Sequence, residues 1–319
     1  SMSFKYYVLT SSNIWTLERQ FNTLKPNETV VIINSLNSEY VEQAADFCAS
    51  NDIEHHITES DGTPSTGKNS LLDKFLESDN EYMVQVDGDD VITPYGRNLY
   101  RAIALSDSPP DIICLANQLS IQTPREDFFD LFSKQVDSRS VKKDHFFIPV
   151  KHTTFWTHDL TSRDNRHTYV PRVSEQDIQK MVRHGIDEST ARQWMRNRKV
   201  AEEYTIDYGD MSNTLNRLVF YSRKAAQHTK FDPRHKIGED ALQYYILKKL
   251  AYEGTLDMQV RNERPKYSYL YMQDTNSTTR YGKLNLDWIQ DLIDKLNKME
   301  MYPKGYRLPE FEDPYYEVN

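Results

Sequence analysis

The sequence has 319 residues, of which 38% are hydrophobic and 27% are charged, and its formal net charge is −9. This length suits one enlarged α/β domain or a core with an attachment, and the negative charge argues against a protein that mainly coats nucleic acid. Cys48 and Cys114 are the two cysteines, and no stretch approaches the ~20 apolar residues of a membrane span, so we expect a cytoplasmic protein in a reducing compartment.

The first 120 residues alternate between short apolar runs and amphipathic stretches with helical spacing. Such alternation predicts an α/β fold with a mainly parallel sheet, in which ligands bind beyond the carboxyl ends of the strands. The predicted strands are Lys5 to Thr10, Thr29 to Asn34, Ile53 to Thr58, Tyr82 to Val86 and Ile112 to Ala116.

Four helices are expected between these strands. Asn13 is expected to cap the first of them, which carries Ile14, Leu17, Phe21 and Leu24 at helical spacing. The other three are expected from Ser38, from Asn69 to Leu76 after a loop at Asp61 to Gly67, and after Pro94.

The alternation stops in residues 121–203, which are rich in basic and aromatic residues and are predicted to form a helical insertion. Within it, Ser174 to Arg198 has the pattern of two short helices joined at His184-Gly185. Strand and helix patterns resume in residues 204–280, and residues 281–319 are expected to hold a helix at Trp288 to Met299 and an acidic tail. The resumed elements are Arg217 to Tyr221, Asp240 to Leu250, Asp257 to Arg261 and Tyr267 to Met272.

An acidic cluster follows the fourth predicted strand, where Asp87, Asp89 and Asp90 share four positions with Gly88. Oxygen ligands of this kind suit Mg²⁺ or Mn²⁺, and three neighbouring carboxylates repel one another unless a cation is present. Asp-Gly is also a common turn pair, so a polar turn after a buried strand is the simpler alternative.

A second phosphate-binding pattern begins at Gly62. Gly62 to Lys68 matches the opening of a P-loop between a strand and a helix, which would indicate an NTPase or kinase. The match fails at Asn69, where a P-loop has the Ser or Thr whose hydroxyl binds magnesium.

Two segments resemble the inverting family 2 glycosyltransferases, which have the GT-A fold. The first is Gly67-Lys68-Asn69, with the helix after it and the strand that ends in Asp87-Gly88-Asp89-Asp90; the second is Arg217 to Asp240, with its Phe-Asp-Pro turn and Glu239-Asp240 opening a helix. The resemblance covers roughly residues 4 to 118 and 205 to 280. It implies a GT-A-type nucleotide-diphospho-sugar transferase with a mainly parallel central sheet and a helical insertion, and a nucleotide-sugar, above all a UDP-sugar, as donor.

The resemblance also implies roles for individual residues. Asp89, with Asp87, would bind Mn²⁺ or Mg²⁺ on the diphosphate, and Asp87 would also contact the nucleoside. Asp240 would be the catalytic base, with Glu239 beside it, although acids at a helix start also stabilise the helix dipole. Asn34 stands where the family has base-reading Asp residues. The residues assigned to the donor are Thr10, Asn34, Lys68, Asn69 and Asp87.

The insertion is the candidate acceptor-binding region, because Arg192, Arg196 and Arg198 crowd one short helix with Trp194. Cations and aromatic rings in this arrangement suit DNA, so the expected acceptor is either a modified base in DNA or a glycan. An acceptor loop for an acidic glycan and a hairpin that only covers the core are the other interpretations. A nucleic-acid-binding module on a catalytically inactive fold is the non-enzymatic hypothesis.

Overall fold

The computed structural model describes residues 3–123, 146–150, 153–159, 174–185, 187–204, 217–228, 230–235, 239–263 and 266–274. The helix expected at Trp288 to Met299 and the acidic tail lie outside these residues. Among the helices that the structure describes, none combines the length and the apolarity needed to cross a membrane.

Twelve strands run through the described residues and form two sheets. In chain order they are β1 (Phe4–Thr10), β2 (Thr29–Asn34), β3 (Glu54–Thr58), β4 (Tyr82–Asp87), β5 (Val91–Ile92), β6 (Ile112–Leu115), β7 (Asn117–Thr123), β8 (Phe146–Val150), β9 (Thr153–Asp159), β10 (Arg217–Ser222), β11 (Met258–Arg261) and β12 (Tyr269–Asp274).

In the described parts of the chain, eight α-helices connect or flank these strands, and a 3₁₀ turn at Pro26–Glu28 precedes β2. They are α1 (Ile14–Gln20), α2 (Ser38–Ser50), α3 (Pro64–Glu77), α4 (Pro94–Ala104), α5 (Glu175–Arg183), α6 (Glu188–Glu203), α7 (Arg223–His228) and α8 (Glu239–Tyr252).

The larger sheet has seven strands in the order β11-β6-β10-β4-β1-β2-β3. All neighbours in it are parallel except β10, which runs antiparallel to both β4 and β6. The predicted α/β fold with a mainly parallel central sheet is therefore confirmed. Because β10 runs the other way, its first residue lies at the edge of the sheet where the parallel strands end.

Apolar side chains on the two faces of this sheet form two core layers. One face packs against α3, α7 and α8, with Leu71, Phe75 and Leu242 among its fully or nearly fully buried residues. The other face packs against α1, α2 and α4, with Leu17 and Ala44 buried. Helices on both faces bury β2 completely, which explains its continuous apolar run.

The smaller sheet has five strands in the order β5-β12-β7-β9-β8. The sequence analysis predicted neither β5 nor β7, and it expected no strands in the region that contains β8 and β9. The predicted helical hairpin is present as α5 and α6, which are joined around His184-Gly185. In its described residues, the insertion thus combines β8, β9 and the end of β7 with a helical hairpin.

The boundaries of two helices, α1 and α3, differ most from the predicted ones. α1 ends at Gln20, so Phe21 and Leu24 lie beyond it; Asn13 is its N-cap residue, but its side chain makes no capping hydrogen bond. α3 begins at Pro64 and not at Asn69, because Pro64 at the first helical position is already set for helix. The loop expected at Asp61 to Gly67 is therefore mostly the first turn of α3.

Candidate active site

A cleft of about 620 Å³ opens at the carboxyl ends of β1, β2 and β4. This volume is in the usual range for small-molecule sites. β10 contributes to the cleft because it runs antiparallel, and α8 contributes its first turn. The charged residues that line the cleft are Lys68, Asp87, Asp89, Arg217, Glu239 and Asp240.

Two residues of α1 donate hydrogen bonds to the backbone carbonyls of the acidic turn after β4. The side-chain amide of Gln20 donates to the carbonyl oxygens of Gly88 at 3.1 Å and Asp90 at 2.5 Å, and Arg19 donates to the carbonyl of Asp89. Gly88 is required here, because a Cβ atom at this position would lie 2.5 Å from the carbonyl oxygen of Leu9. The turn can therefore approach β1 only with glycine at its second position.

Arg217, the first residue of β10, is the main positive partner of this turn. Its Nη1 lies 3.0 Å from Oδ2 of Asp87 and 3.5 Å from Oδ2 of Asp90. Its Nε donates to Gln118 at 2.7 Å, and its guanidinium stacks 4.6 Å from the ring of Tyr269. The positive charge that the neighbouring carboxylates require is thus supplied in part by the protein itself.

The three carboxylates of the turn differ in their surroundings. Asp90 is completely buried and accepts hydrogen bonds from the hydroxyl of Tyr269 at 2.6 Å and the backbone N–H of Met272 at 3.1 Å. Burial raises the pKa of Asp90 well above its ordinary value, against the opposing effect of Arg217. Asp90 therefore joins the turn to β12 and does not line the cleft.

Asp87 and Asp89 do line the cleft. Burial would raise the pKa of Asp87, but the charges of Lys68 and Arg217 outweigh it and hold the pKa below its usual range. Desolvation by the cleft walls and the negative charge of Asp87 raise the pKa of Asp89. Asp89 is solvent-exposed, so its carboxylate is the one best placed to meet a cation from solution.

The donor atoms fit a divalent ion that binds together with a diphosphate. Within the described ranges, no group of three or more His, Cys, Asp or Glu side chains could hold a metal ion by itself. Mg²⁺ and similar ions at nucleotide sites usually take one or two carboxylates and complete their shell with phosphate oxygens and water. Asp89, with Asp87 two residues away, can provide that number.

Lys68 of α3 contacts the first turn of α8 directly. Its Nζ lies 2.5 Å from Oδ1 of Asp240 and 3.1 Å from Oε1 of Glu239. Lys68 and Glu239 are mostly buried, whereas the side chain of Asp240 is 36% exposed. Burial and the charge of Asp240 raise the pKa of Glu239, with Lys68 opposing them. Of the two acids, Asp240 is therefore the more accessible to a substrate.

This arrangement excludes the P-loop interpretation of Gly62 to Lys68. In a P-loop, backbone N–H groups of the loop surround a phosphate. Here Pro64 onward is helical, the N–H of Gly67 donates to the carbonyl of Thr63, and Lys68 is bound to two carboxylates. The segment therefore cannot wrap a phosphate without unwinding the first turn of α3.

Two residues assigned to the donor are used inside the protein. The amide of Asn69 donates to the carbonyl of Phe231 and accepts from its N–H, both at 2.7 Å. Thr10 is buried and its hydroxyl shares a short hydrogen bond with that of Tyr40. Neither residue is among the described residues that line the cleft. We therefore assign both to holding the structure around the site instead of to the donor.

Asn34 lines the cleft at the end of β2. Its amide nitrogen donates to the hydroxyl of Thr58 and the carbonyl of Glu59, each at 2.9 Å. These bonds fix the side chain beside Gly67, where an added Cβ would lie 3.3 Å from its Oδ1.

Several residues of the cleft wall were not predicted from the sequence. Ser11, Ser12 and Asn13 line the cleft directly after β1, and Arg217 and Tyr271 line it from β10 and β12. Asn13 has a φ of 65°, a left-handed conformation that Asn adopts more readily than most residues. The position of Ser11 to Asn13 after a parallel strand is the signal that could have identified them.

In the helical hairpin, Arg192 is already paired. Its guanidinium bonds to Glu175 and Glu188, both at 2.8 Å. Arg196 is exposed and donates to the side chain of Gln193 at 3.0 Å. The two helices together carry six Lys or Arg and five Asp or Glu residues, so they are nearly neutral. The side chains of Trp194 and Arg198 lie outside the described part of the structure.

No protein-family model matches the sequence, and no curated protein matches it. Solved structures that resemble the chain include TarS 1–349 from S. aureus in complex with UDP-GlcNAc, with 16% identity, a TM-score of 0.44 and coverage of 93% of this chain and 67% of that one. Another crystal structure of TarS 1–349 matches with 15% identity and a TM-score of 0.43. That match covers 85% of this chain and 60% of the TarS chain.

A mannosyltransferase from Pyrobaculum calidifontis in complex with GDP-Man and Mn²⁺ matches at 12% identity with a TM-score of 0.40, covering 95% of this chain and 65% of that one. The solved structures that resemble the chain thus include glycosyltransferases and nucleotidyltransferases. Because these TM-scores are below 0.5, we base the function below on the residues of the cleft.

Proposed function

We propose that the protein is a glycosyltransferase that moves a sugar from a nucleotide-sugar to an acceptor hydroxyl with inversion. The observation that carries this proposal is that Asp89, at the end of β4, and Asp240, at the start of α8, open into the same cleft. One carboxylate can serve the leaving diphosphate while the other serves the attacking hydroxyl. A transferase with a single-displacement mechanism needs both functions within one site.

On the donor side, Asp89 would hold a divalent ion on the diphosphate, and Asp87 would assist it and contact the nucleoside. The ion, Mn²⁺ or Mg²⁺, would neutralise the charge that develops on the departing phosphate oxygen. Asn34, fixed by Thr58 and Glu59, would offer its amide oxygen to an N–H of the base. A UDP-sugar is the donor class that we propose first, because uracil presents such a donor group.

On the acceptor side, Asp240 would accept the proton of the acceptor hydroxyl. The hydroxyl oxygen then forms a bond to the anomeric carbon as the bond from that carbon to the phosphate oxygen breaks, and the electron pair leaves with the diphosphate. Asp240 suits this role because its side chain is 36% exposed and lines the cleft, whereas Glu239 is mostly buried. Its place in the first turn of α8 fixes it on a rigid element.

Direct measurement of donor binding tests the proposal. Isothermal titration calorimetry with UDP-GlcNAc, UDP-glucose, GDP-mannose and ATP, each with and without Mn²⁺, should show metal-dependent binding of at least one nucleotide-sugar. An assay for released nucleoside diphosphate then establishes turnover. Binding of ATP in preference to every nucleotide-sugar, or donor affinity that ignores Mn²⁺, would contradict the proposed function. The acceptor, a glycan or a modified base in DNA, stays a prediction of the sequence.

A further inference from the structure

We propose that Lys68 is a positioning residue for the catalytic base: its ammonium group holds the carboxylates of Asp240 and Glu239 in place and balances their negative charge, and it does not bind the donor. This inference rests on the proposed function, because it assigns the proton-accepting role to Asp240. It replaces the expectation from the sequence resemblance that Lys68 faces the nucleotide.

The contacts of Lys68 support this role directly. Lys68 is 5% exposed, and its ammonium group lies 2.5 Å from Asp240 and 3.1 Å from Glu239. An ammonium group has three N–H donors, and two of them are used by these carboxylates. A buried lysine that is already bound to two anions gains little by turning to a third.

The fold builds this contact from segments that are far apart in the sequence. Lys68 and Asp240 are 172 residues apart, and the next residue of α3, Asn69, bonds to both backbone groups of Phe231 at 2.7 Å. The ring of Phe231 in turn lies 5.2 Å from Nζ of Lys68, within the range of a cation–π contact. α3 is thereby fixed to the segment that leads into α8, so the lysine and the two acids are held in register.

The charges around the pair explain why the lysine is needed. Two adjacent carboxylates in a partly buried site disfavour each other's ionised form. Asp87 on β4 adds negative charge and Arg217 on β10 adds positive charge, and the charge of Asp240 also acts on the buried phenol of Tyr221 on β10. Burial would lower the pKa of Lys68, but Asp240, Asp87 and Glu239 together raise it, so the lysine stays charged. Without it, the two carboxylates would lose the nearby positive charge that favours their ionised form.

The pH dependence of turnover tests this inference. In Lys68→Met, we expect the acid limb of kcat/KM to move to higher pH, with a loss of about tenfold for each pH unit of the shift. Activity should recover as the pH is raised, and Kd for UDP should stay within about twofold of wild type. Lys68→Arg keeps the charge and should restore most of the acid limb. Lys74→Met, which removes an outer lysine of the same helix, is the matched control and should leave the profile unchanged.

A titration of the carboxyl groups keeps the test independent of turnover. With ¹³C-labelled Asp and Glu, NMR should show a carboxyl of the Glu239–Asp240 pair titrating at higher pH in Lys68→Met than in wild type, and Lys68→Arg should resemble wild type. Absence of donor turnover in wild type would defeat the proposed function, and the titration would still decide the role of Lys68. An unchanged carboxyl titration, or a loss of about tenfold in UDP affinity with an unchanged pH profile, would overturn the inference.

Discussion

The guanidinium of Arg217 lies 3.0 Å from the carboxylate of Asp87, although the two residues are 130 positions apart. The contact forms because β10 enters the larger sheet antiparallel to β4, which brings its first residue to the carboxyl end of that strand. Repulsion among the acids of this turn suggested a bound cation. The structure shows that an arginine supplies part of that charge, so a metal ion at Asp89 would add to a turn that is already partly neutralised.

Removal of Arg217 should destabilise the protein. In Arg217→Met, Asp87 and the fully buried Asp90 lose the guanidinium that contacts both of them, and the loss of one partner from a buried ion pair typically costs about 3–5 kcal/mol. Urea unfolding at neutral pH would measure this change in the free energy of unfolding. Arg101→Met, which removes an arginine that is 46% exposed, is the control and should change it by less than about 1 kcal/mol. If the two variants had the same free energy of unfolding, the Arg217 contacts would not stabilise the fold.

Asp89→Asn should separate metal binding from folding. The exposed carboxylate is replaced by an amide of nearly the same shape, so the free energy of unfolding should hardly change. We expect Mn²⁺-dependent UDP affinity and turnover to be lost, because the amide is a much weaker ligand for a hard cation. Calorimetry with UDP and Mn²⁺ measures the first effect, with Asp107→Asn, an exposed aspartate elsewhere, as the control. Unchanged metal-dependent affinity would remove Asp89 from the metal site.

Much of the larger sheet was predictable because its signals are local. Buried parallel strands form continuous apolar runs, and the intervening helices show regular apolar spacing. The start of α3 was missed although its signal is present: Pro64 follows Thr63, which is typical of a helix N-terminus.

The contacts that define the site were less predictable, because they depend on long-range register. Nothing near Arg217 in the sequence indicates that it will meet Asp87, and nothing near Lys68 indicates Asp240. The same holds for Asn69, whose amide is matched to the backbone of Phe231. The resemblance placed the two acidic segments at the site, while the structure shows which basic residue pairs with each of them.

His235 should make stability sensitive to mild acid. It is completely buried, and burial lowers its pKa from 6.5 to about 4. A base with a lower pKa in the folded state binds fewer protons than in the unfolded state. The contribution of neutral, buried His235 to the free energy of unfolding is therefore complete above about pH 6.5. It is lost as the pH falls toward about 4, by up to roughly 3 kcal/mol. Urea unfolding of wild type and His235→Gln between these pH values should show a shallower pH slope in the variant. Parallel slopes would contradict this assignment.

Acceptor binding by the α5–α6 hairpin is best tested at Arg196. Arg192→Glu would break the contacts with Glu175 and Glu188, so a loss of acceptor use in that variant would also reflect a disturbed hairpin. Arg196→Glu avoids this problem, because Arg196 is exposed and its described hydrogen bond is to the neutral side chain of Gln193. We expect it to reduce acceptor kcat/KM more than donor hydrolysis. If the acceptor is DNA, acceptor binding should fall steeply with salt as counterions are released; equal effects on both reactions would separate the hairpin from the acceptor.

The inverting mechanism depends most directly on Asp240. Asp240→Asn keeps the shape of the side chain but cannot accept the proton of the acceptor hydroxyl, and general-base catalysis typically contributes ~10²–10⁴-fold. We expect kcat to fall by about that factor while UDP affinity stays nearly unchanged, which is the reverse of the effect expected for Asp89→Asn. Glu239→Gln should have the smaller effect on kcat, because Glu239 is mostly buried.

Steady-state kinetics and calorimetry on the three variants distinguish the roles. If Asp240→Asn were fully active and Glu239→Gln were inactive, Glu239 would be the catalytic base in place of Asp240. Wild-type rates in both would mean that the two acids only stabilise the start of α8, where negative charge is favoured by the helix dipole. In that case Lys68 would be balancing the charge of a helix N-terminus, and the cleft would bind its ligand without the proposed proton transfer.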